Sequence, residues 1–370
     1  MRRTFDSFFA GGFECSTHRR HDGRRLDLIE ATAHDRHAGA DYAALRERGL
    51  RTVRDGLRWH LIESRAGVYD WSSFLPMLEA ARQAGVQPVW DLCHYGWPDF
   101  IDIWRPEFVA RFAAFAGAAA RVVRDHGDSV PFYCPVNEIS FWSWSGGDQA
   151  GMNPMGRGRG LELKHQLVRA SIAAIDAVRR VDPRARFVQV DPLVQVTPRG
   201  PADEEEAAAL CRVQYDGWLM LSGELWPGLG GDPSCLDLVG VNYYSNNQWF
   251  LGGETIPPGH PLHRPFRELL ADVHRRLGRP VFVAETGAEG DQRVPWIRQV
   301  CDEVAAALVA GVPVEGVCLY PVLDYPGWTN DRHCPTGLLG VVGADGRRQP
   351  DPPLEQELAR QQARFAALLT

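Results

Sequence analysis

Eight short apolar runs, each followed by a longer amphipathic segment, set the strongest constraint on the fold of this 370-residue chain. The runs predict strands over Phe8–Phe13, Arg51–Arg54, Pro88–Leu92, Phe132–Val136, Arg186–Val190, Leu236–Asn242, Pro280–Ala284 and Gly316–Leu319. The amphipathic segments predict helices over Gly39–Arg48, Ser73–Ala84, Pro106–Asp125, Leu163–Val181, Glu204–Leu221, Pro265–Leu277, Val294–Ala310 and Leu354–Leu368. Parallel strands need such crossovers, and eight repeats can close the sheet on itself. We therefore predict an α/β fold, a (β/α)8 TIM barrel forming a single domain over residues 1–370.

Glycines mark three helix-to-strand joints of the same kind, at Gly49, Gly85 and Gly311. Glycine suits the end of a helix because it adopts the left-handed backbone conformation without strain. An open doubly wound sheet is the alternative fold, but no Gly-x-Gly-x-x-Gly sequence follows an early strand. Since no linker or change in composition divides the chain, the barrel is favoured.

The charge balance is mildly acidic, with 40 Lys and Arg residues against 47 Asp and Glu residues and a net charge of −7. This argues against nucleic acid or an anionic membrane as the main partner. The sequence contains no run of 18 apolar residues and no apolar stretch of signal-peptide length before Gly11. We expect a cytoplasmic protein without a membrane span, and the sequence does not predict its oligomeric state.

The eight cysteines include no Cys-x-x-Cys pair, and no histidine cluster has the spacing of a zinc site. Four of the cysteines lie in or beside predicted strands: Cys15, Cys93, Cys134 and Cys318. We expect small buried thiols in a reducing compartment and predict neither a metal site nor a cofactor.

Polar side chains stand at or just beyond the carboxyl ends of the predicted strands, where a (β/α)8 barrel places its chemistry. In chain order they are Glu14, Arg54, His94, Asn137, Glu138, Asn242, Tyr244, Glu285 and Tyr320. Three tryptophans in the loops beyond, Trp142, Trp144 and Trp328, suit a ligand with flat faces such as a carbohydrate. Glu138 and Glu285 end two core strands, which indicates acid/base and nucleophilic chemistry on one substrate.

Five motifs resemble, in the same order, those of glycoside hydrolase family 1, the β-glucosidase and β-galactosidase group of the retaining barrel glycosidases. They are Val53-Arg54-Asp-Gly-Leu-Arg-Trp59, Leu92-Cys-His94-Tyr-Gly-Trp-Pro98, Val136-Asn137-Glu138-Ile139, Gly240-Val-Asn242-Tyr-Tyr244-Ser and Ala284-Glu285-Thr-Gly287. The resemblance runs from Phe9 to about Trp328, in a chain shorter than is usual for the family. It implies the barrel fold and the hydrolysis of a small β-linked glycoside as substrate.

The resemblance also implies a role for each motif residue. Glu138 would be the acid/base and Glu285 the nucleophile of a double-displacement reaction. Arg54 is expected to keep Glu285 ionised, Tyr244 to position it, and Asn137 to bind the 2-hydroxyl of the sugar. The expected substrate-binding residues are His94, Glu14, Asn242, Trp142, Trp144, Tyr320 and Trp328.

The sequence departs from the family pattern at several positions. Ile139 replaces the proline after the acid/base, and Tyr95–Gly96 replaces the Trp-Asp pair after the third strand. Gly327 falls where the family has a glutamate that holds the sugar's outer hydroxyls. Glu63, interpreted as a solvated loop residue, and Glu289 are candidates to replace that contact.

Three alternatives stay open. A transglycosylase would use the same residues and differ only in whether water or another acceptor attacks. A catalytically silent sugar-binding barrel would keep the pocket without turnover. A sugar 6-phosphate would need a basic cluster after the eighth strand, where Arg332 and His333 lie.

Overall fold

The computed structural model describes residues 4–370 and contains a closed barrel of eight parallel strands. The strands are β1 (Phe9–Gly12), β2 (Thr52–Gly56), β3 (Gln87–Asp91), β4 (Phe132–Cys134), β5 (Arg186–Pro192), β6 (Leu238–Asn242), β7 (Val281–Thr286) and β8 (Val314–Leu319). Neighbouring strands pair in chain order, and β8 closes the sheet against β1 with Ala10 opposite Cys318. The predicted (β/α)8 barrel is confirmed, with strand ends shifted by at most two residues.

Helices follow the strands around the barrel. They are α1 (His34–Glu47), α2 (Leu75–Ala84), α3 (Pro106–Asp125), α4 (Gly160–Val181), α5 (Glu204–Val213), α6 (Asp216–Leu221), α7 (Phe266–Leu277), α8 (Arg293–Val309) and α9 (Pro352–Leu368). The single helix predicted over Glu204–Leu221 is two helices, with a turn at Gln214. The Gln214 side chain accepts from the Val194 N–H (2.9 Å) and donates to the Cys211 carbonyl (2.7 Å), which ties this turn to the loop after β5.

None of the helices formed by residues 4–370 is both long enough and apolar enough to cross a membrane. The three predicted helix-to-strand joints are confirmed. Gly49, Gly85 and Gly311 have φ angles of 77°, 64° and 88°, in the left-handed region that favours glycine. Each N–H bonds to a carbonyl of the last helical turn, at 2.9, 3.1 and 3.0 Å respectively. These bonds satisfy helix-end carbonyls that would otherwise lack a partner.

Short elements decorate the loops that follow the carboxyl ends of the strands. They include helices Leu28–Ala31, Trp59–Ile62 and Ile139–Trp142, and strand pairs Gln195–Thr197 with Gln248–Phe250, Tyr325–Pro326 with His333–Cys334, and Leu339–Val342 with Arg348–Pro350. The loops at this end are therefore structured and build a wall around the strand ends.

Apolar side chains fill the inside of the barrel from its opposite end. Phe5 precedes β1 and packs against Phe132 and Phe282, with ring centroids 5.1 and 4.8 Å apart. The twelve residues of this inner cluster are each at most 3% exposed. Because apolar side chains fill this end, the polar groups of the barrel interior lie toward the carboxyl ends of the strands.

All eight cysteines are free thiols, and seven of them are buried. Cys211 is the exception and is half-buried. The prediction of buried thiols is confirmed for Cys15, Cys93, Cys134 and Cys318, which lie in or beside barrel strands.

A buried polar network lies between β2 and α1. His34 is fully buried, and its ring nitrogens lie 2.8 Å from an Asp41 oxygen and 2.8 Å from an Asp55 oxygen. Tyr42 donates to Asp55 (2.5 Å), and Arg348 donates to Asp41 (2.7 Å). Burial alone would lower the pKa of His34, but the two carboxylates outweigh it and raise the pKa to about 9.

We expect this network to make the stability of the fold depend on pH. The pKa of His34 is about 9 in the folded chain, against about 6.5 when unfolded. The contribution of protonated His34 to the free energy of unfolding is therefore complete below about pH 6.5 and is lost as the pH rises through the pKa of the folded chain. This contribution is on the order of 3 kcal/mol at most. Urea unfolding of the wild type and of His34→Gln at about pH 6 and about pH 9.5 measures it. An equal fall in the free energy of unfolding in both proteins would contradict this assignment.

Candidate active site

Arg54, in β2, joins strand ends through one guanidinium group. It is fully buried and donates from Nη1 to Glu285 Oε1 at the end of β7 (2.6 Å). Its Nε and Nη2 donate to the two carboxylate oxygens of Asp91 in β3 (3.0 and 2.7 Å). Nη2 also donates to Asn137 Oδ1 just beyond β4 (2.6 Å). One cation between two carboxylates offsets much of the cost of burying these charges.

Asp91 is absent from the residues predicted for the site. It is fully buried, binds Arg54 with both oxygens, and has Oδ2 2.9 Å from His94 Nδ1. The sequence does contain a signal for it, because an aspartate inside the otherwise apolar strand Pro88–Leu92 requires a buried partner.

The carboxylate of Glu285 is held on both oxygens. Arg54 binds Oε1, and the hydroxyl of Tyr244, just beyond β6, donates to Oε2 (2.9 Å). The residue is 5% exposed. Burial raises the pKa of Glu285, and the adjacent Arg54 guanidinium opposes that rise. The structure thus brings together the three residues that the sequence predicts as nucleophile, charge partner and positioning group.

Glu138 lies in the loop after β4, directly before the short helix Ile139–Trp142, and has a left-handed backbone conformation with φ 48° and ψ 61°. Its N–H donates to the Val190 carbonyl in β5 (3.0 Å), which fixes the turn. Asn242 Nδ2 donates to Oε1 (2.8 Å), and the Tyr95 hydroxyl donates to Oε2. Burial, and after it the negative charge of Glu285, raise the pKa of Glu138 to about 8.

Asp191, near the end of β5, is a further buried acid that the sequence does not single out. Both of its oxygens accept from the Ser140 N–H, at 2.9 and 3.2 Å. It therefore caps the start of the short helix Ile139–Trp142, directly after Glu138. Burial raises the pKa of Asp191 to about 7.

His94, beyond β3, is fixed at both ring nitrogens. Nδ1 lies 2.9 Å from Asp91 Oδ2, and Nε2 lies 2.9 Å from Asn137 Nδ2. An ionised carboxylate only accepts hydrogen bonds, so Nδ1 carries the proton and Nε2 accepts from the amide. The predicted residue therefore lies in the site, with its hydrogen-bonding atoms used by the protein.

Cys15, Asp91 and His94 bring three atoms of metal-ligand type within 4.8 Å of one another. Both oxygens of Asp91 already accept from Arg54, whose positive charge would repel a cation. Burial raises the pKa of the Cys15 thiol well above its ordinary value, whereas a metal ligand must be a thiolate. The arrangement therefore favours hydrogen bonding over metal binding.

Four buried polar atoms near the two glutamates have no hydrogen-bond partner among residues 4–370. They are Asn242 Oδ1, the Tyr320 hydroxyl, Trp328 Nε1 and His18 Nδ1. Burial lowers the pKa of His18 to about 3, so its ring is neutral, and it packs against Trp328 with centroids 4.7 Å apart. Buried polar groups normally have partners, so these atoms are candidates to bind a ligand. His18 follows β1 and is not predicted from the sequence.

Glu14, beyond β1, lies at the same end of the barrel. It is 6% exposed, its Oε1 accepts from the Ser16 N–H (3.0 Å), and the same oxygen lies 4.0 Å from His94 Nε2. Burial raises the pKa values of Tyr320 and Glu285, and the proximity of Glu14 adds to both rises. The predicted residue is therefore placed within the group of site side chains.

The three tryptophans predicted to contact a sugar lie in different environments. Trp142 is 0% exposed and donates from Nε1 to the Asn153 carbonyl (2.8 Å). The prediction of a sugar contact is wrong for Trp142, because its faces are packed in the core. Trp144 is 56% exposed and has Phe141 6.0 Å from its ring centroid. Trp328 is half-buried beside the site.

Both glutamates considered as replacements at Gly327 already have partners in the protein. Glu63 is fully buried rather than solvated, and it accepts from Trp59 Nε1 (2.8 Å). Glu289 forms a two-point salt bridge with Arg332, at 2.7 and 2.6 Å. That pair also uses the arginine that a sugar 6-phosphate would need.

Comparison with known proteins places this architecture among solved β-glucosidase barrels. No protein-family profile and no curated protein matches the sequence. The fold nevertheless matches the family 1 β-glucosidase of Thermotoga maritima with a TM-score of 0.77, over 98% of this chain and 99% of that one, at 14% identity. The resemblance to family 1 inferred from the motifs is thus confirmed at the level of the fold.

Two further solved structures show the same barrel. The AHE enzyme from Alicyclobacillus herbarius matches with a TM-score of 0.79, over 98% of this chain and 100% of that one, at 17% identity. The β-glycosidase BGL167 matches with a TM-score of 0.71, over 90% and 87% of the two chains, at 21% identity. Identities this low carry the fold and leave the chemistry to the residues of this chain.

Proposed function

We propose that the protein is a retaining glycoside hydrolase that cleaves a small β-linked glycoside, with Glu138 as acid/base and Glu285 as nucleophile. The observation that carries this proposal is the unequal environment of the two glutamates, of which Glu285 is buried and Glu138 is partly buried. Glu285 binds the guanidinium of Arg54, whereas Glu138 binds only the neutral groups of Asn242 and Tyr95. Surroundings that drive two carboxyl pKa values apart assign one group as acid and the other as nucleophile.

The protonation states follow from these partners. The charge of Arg54 favours the ionised form of Glu285. Burial and that negative charge keep the proton on Glu138, with a pKa of about 8. At neutral pH the pair therefore holds one proton, on Glu138, which is the starting state of a retaining reaction.

Both chemical steps use the same two groups. In the first, a Glu285 oxygen bonds to carbon 1 of the sugar, the bond to the aglycone oxygen breaks, and Glu138 gives that oxygen its proton. Glu285 is then an uncharged ester, so the pKa of Glu138 should fall and its carboxylate can accept a proton. In the second step Glu138 takes a proton from water, the water oxygen bonds to carbon 1, and Glu285 leaves as a carboxylate.

Replacement of Glu138 by alanine tests the acid role. Substrates with poor leaving groups should lose about 10³-fold in kcat/KM, whereas aryl glycosides with activated leaving groups should lose far less, because they leave without a proton. In the wild type, kcat/KM for the poor leaving groups should fall as the pH rises through the pKa of about 8. Initial rates across a series of aryl β-glycosides and pH values measure both effects.

A matched control is Glu162→Ala, which removes an exposed glutamate paired with Arg159 and should leave the rates unchanged. Equal losses for good and poor leaving groups in the Glu138 variant would show that the acid role is misassigned. A wild type that binds glycosides without turning any over would favour the silent sugar-binding barrel.

A further inference from the structure

The side-chain amide of Asn137 has a hydrogen-bond partner for its oxygen and for both of its hydrogens. Its Oδ1 accepts from Arg54 Nη2 (2.6 Å), and an arginine can only donate, so the orientation of the amide is fixed. The two hydrogens on Nδ2 then go to His94 Nε2 (2.9 Å) and to the Tyr95 hydroxyl oxygen (2.9 Å). The amide expected to bind the sugar's 2-hydroxyl therefore has no hydrogen left to donate.

The Tyr95 hydroxyl lies between Asn137 and Glu138. It accepts from the Asn137 amide and donates to Glu138 Oε2. In the proposed reaction, Glu138 faces the oxygen on carbon 1. The resemblance to family 1 implies that Asn137 faces the substituent on carbon 2. The tyrosine hydroxyl thus makes the hydrogen bonds that a 2-hydroxyl of the sugar would make.

The backbone holds Tyr95 in this place. Its φ of 65° lies in the left-handed region, which is unusual for a bulky side chain and persists only where the surroundings enforce it. Asn153 Nδ2 donates to the Tyr95 carbonyl (2.9 Å). Gly96 follows directly, and a Cβ there would lie 1.9 Å from Thr17 Oγ1, so this turn packs tightly against the loop after β1.

Aromatic packing holds the ring as well. Tyr95 is 0% exposed and meets His94, Trp142 and Trp328 edge to face, with centroids 4.7, 5.7 and 5.7 Å away. A ring enclosed on several sides in a close-packed wall does not swing aside without disturbing its neighbours. The Tyr95 hydroxyl is therefore held in place between Asn137 and Glu138.

We propose that Tyr95 is a specificity-determining residue whose hydroxyl takes the place of the sugar's 2-hydroxyl, so that the site accepts 2-deoxy-β-glycosides. The inference rests on the proposed function and on the position at carbon 2 that the family resemblance implies for Asn137. It fits the chemistry of the reaction, since a 2-hydroxyl withdraws electrons from the oxocarbenium-like transition state. A sugar without that group needs less help from hydrogen bonds at carbon 2.

The test is a comparison of binding, which separates recognition from the greater intrinsic reactivity of 2-deoxy glycosides. Phenyl 1-thio-β-glycosides resist hydrolysis, and pairs with and without the 2-hydroxyl, in gluco and galacto configuration, can be titrated by calorimetry. The wild type should bind the 2-deoxy member about tenfold more tightly or better. Tyr95→Phe frees one Asn137 hydrogen and the space of one oxygen, so it should shift the ratio at least about tenfold toward the hydroxylated member.

A matched control is Tyr133→Phe, which removes another buried tyrosine hydroxyl, on β4 and outside the site, and should leave the ratio unchanged. Equal or tighter binding of the hydroxylated sugar by the wild type, an unchanged ratio in Tyr95→Phe, or binding of neither member would overturn the inference. Glu285-dependent hydrolysis of the matching O-glycosides is measured in parallel. If hydrolysis occurs but the binding ratio is not as expected, the proposed function stands and this inference is wrong. If the binding ratio is as expected but no hydrolysis occurs, the proposed catalytic function is wrong and this inference stands.

Discussion

Replacing Glu285 by glycine is expected to lower the turnover of an activated aryl β-glycoside by roughly 10⁴-fold or more. The variant lacks the oxygen that bonds to carbon 1, while Glu138 and the pocket remain. Azide can enter the space left by the carboxylate and attack from the same side, so it should restore turnover and give a glycosyl azide of inverted configuration. Release of the aryl group, with the configuration of the product read by nuclear magnetic resonance, measures this.

Glu289 supplies the control for this experiment, because it lies four residues further along and pairs with Arg332 at the surface. Glu289→Gly should keep most of the wild-type rate and show no response to azide. If Glu285→Gly is as active as this control, or if the wild type gives a product of inverted configuration, then Glu285 is not the nucleophile.

Replacing Arg54 by methionine should have the largest effect on stability. The side chain is fully buried, and its loss leaves the carboxylates of Asp91 and Glu285 without their cation. Breaking a buried ion pair in this way costs about 3–5 kcal/mol. Turnover should be lost too, since without the guanidinium the pKa of Glu285 should rise further and the proton would no longer reside on Glu138 alone. Urea unfolding and aryl glycoside hydrolysis measure the two effects.

The matched control is Arg332→Met, which removes an arginine that is half exposed and pairs with Glu289 at the surface. Such pairs contribute little, so unfolding should be nearly unchanged. A similar small effect for Arg54→Met would show that the buried carboxylates find other partners or take up protons without cost.

The barrel and the positions of its polar strand ends could be predicted from the sequence because both depend on local patterns. Apolar runs and the segments between them specify strands and helices, and the order of parallel strands follows from the crossovers. Arg54, Glu138 and Glu285 sit at those strand ends, so the fold alone brings them to one end of the barrel.

The sequence could not predict where individual side chains turn. Trp142 and Tyr95 both lie near strand ends, yet one faces the core and the other contacts Glu138. The difference depends on a left-handed backbone angle at Tyr95 and on a short helix after Glu138, neither of which has a clear local signal. The interpretation of Glu63 as a solvated residue is wrong for a similar reason. Its carboxylate is buried because it accepts from Trp59, four residues earlier on one helical turn.

The aromatic side chains of Phe5, Phe132 and Phe282 close the barrel at the end opposite the two glutamates. Whatever reaches Glu138 and Glu285 must therefore enter and leave at the carboxyl ends of the strands. In the proposed reaction, the molecule that attacks the ester on Glu285 must arrive from the same end of the barrel at which the aglycone leaves. Access at that one end then decides whether water or a second sugar completes the reaction.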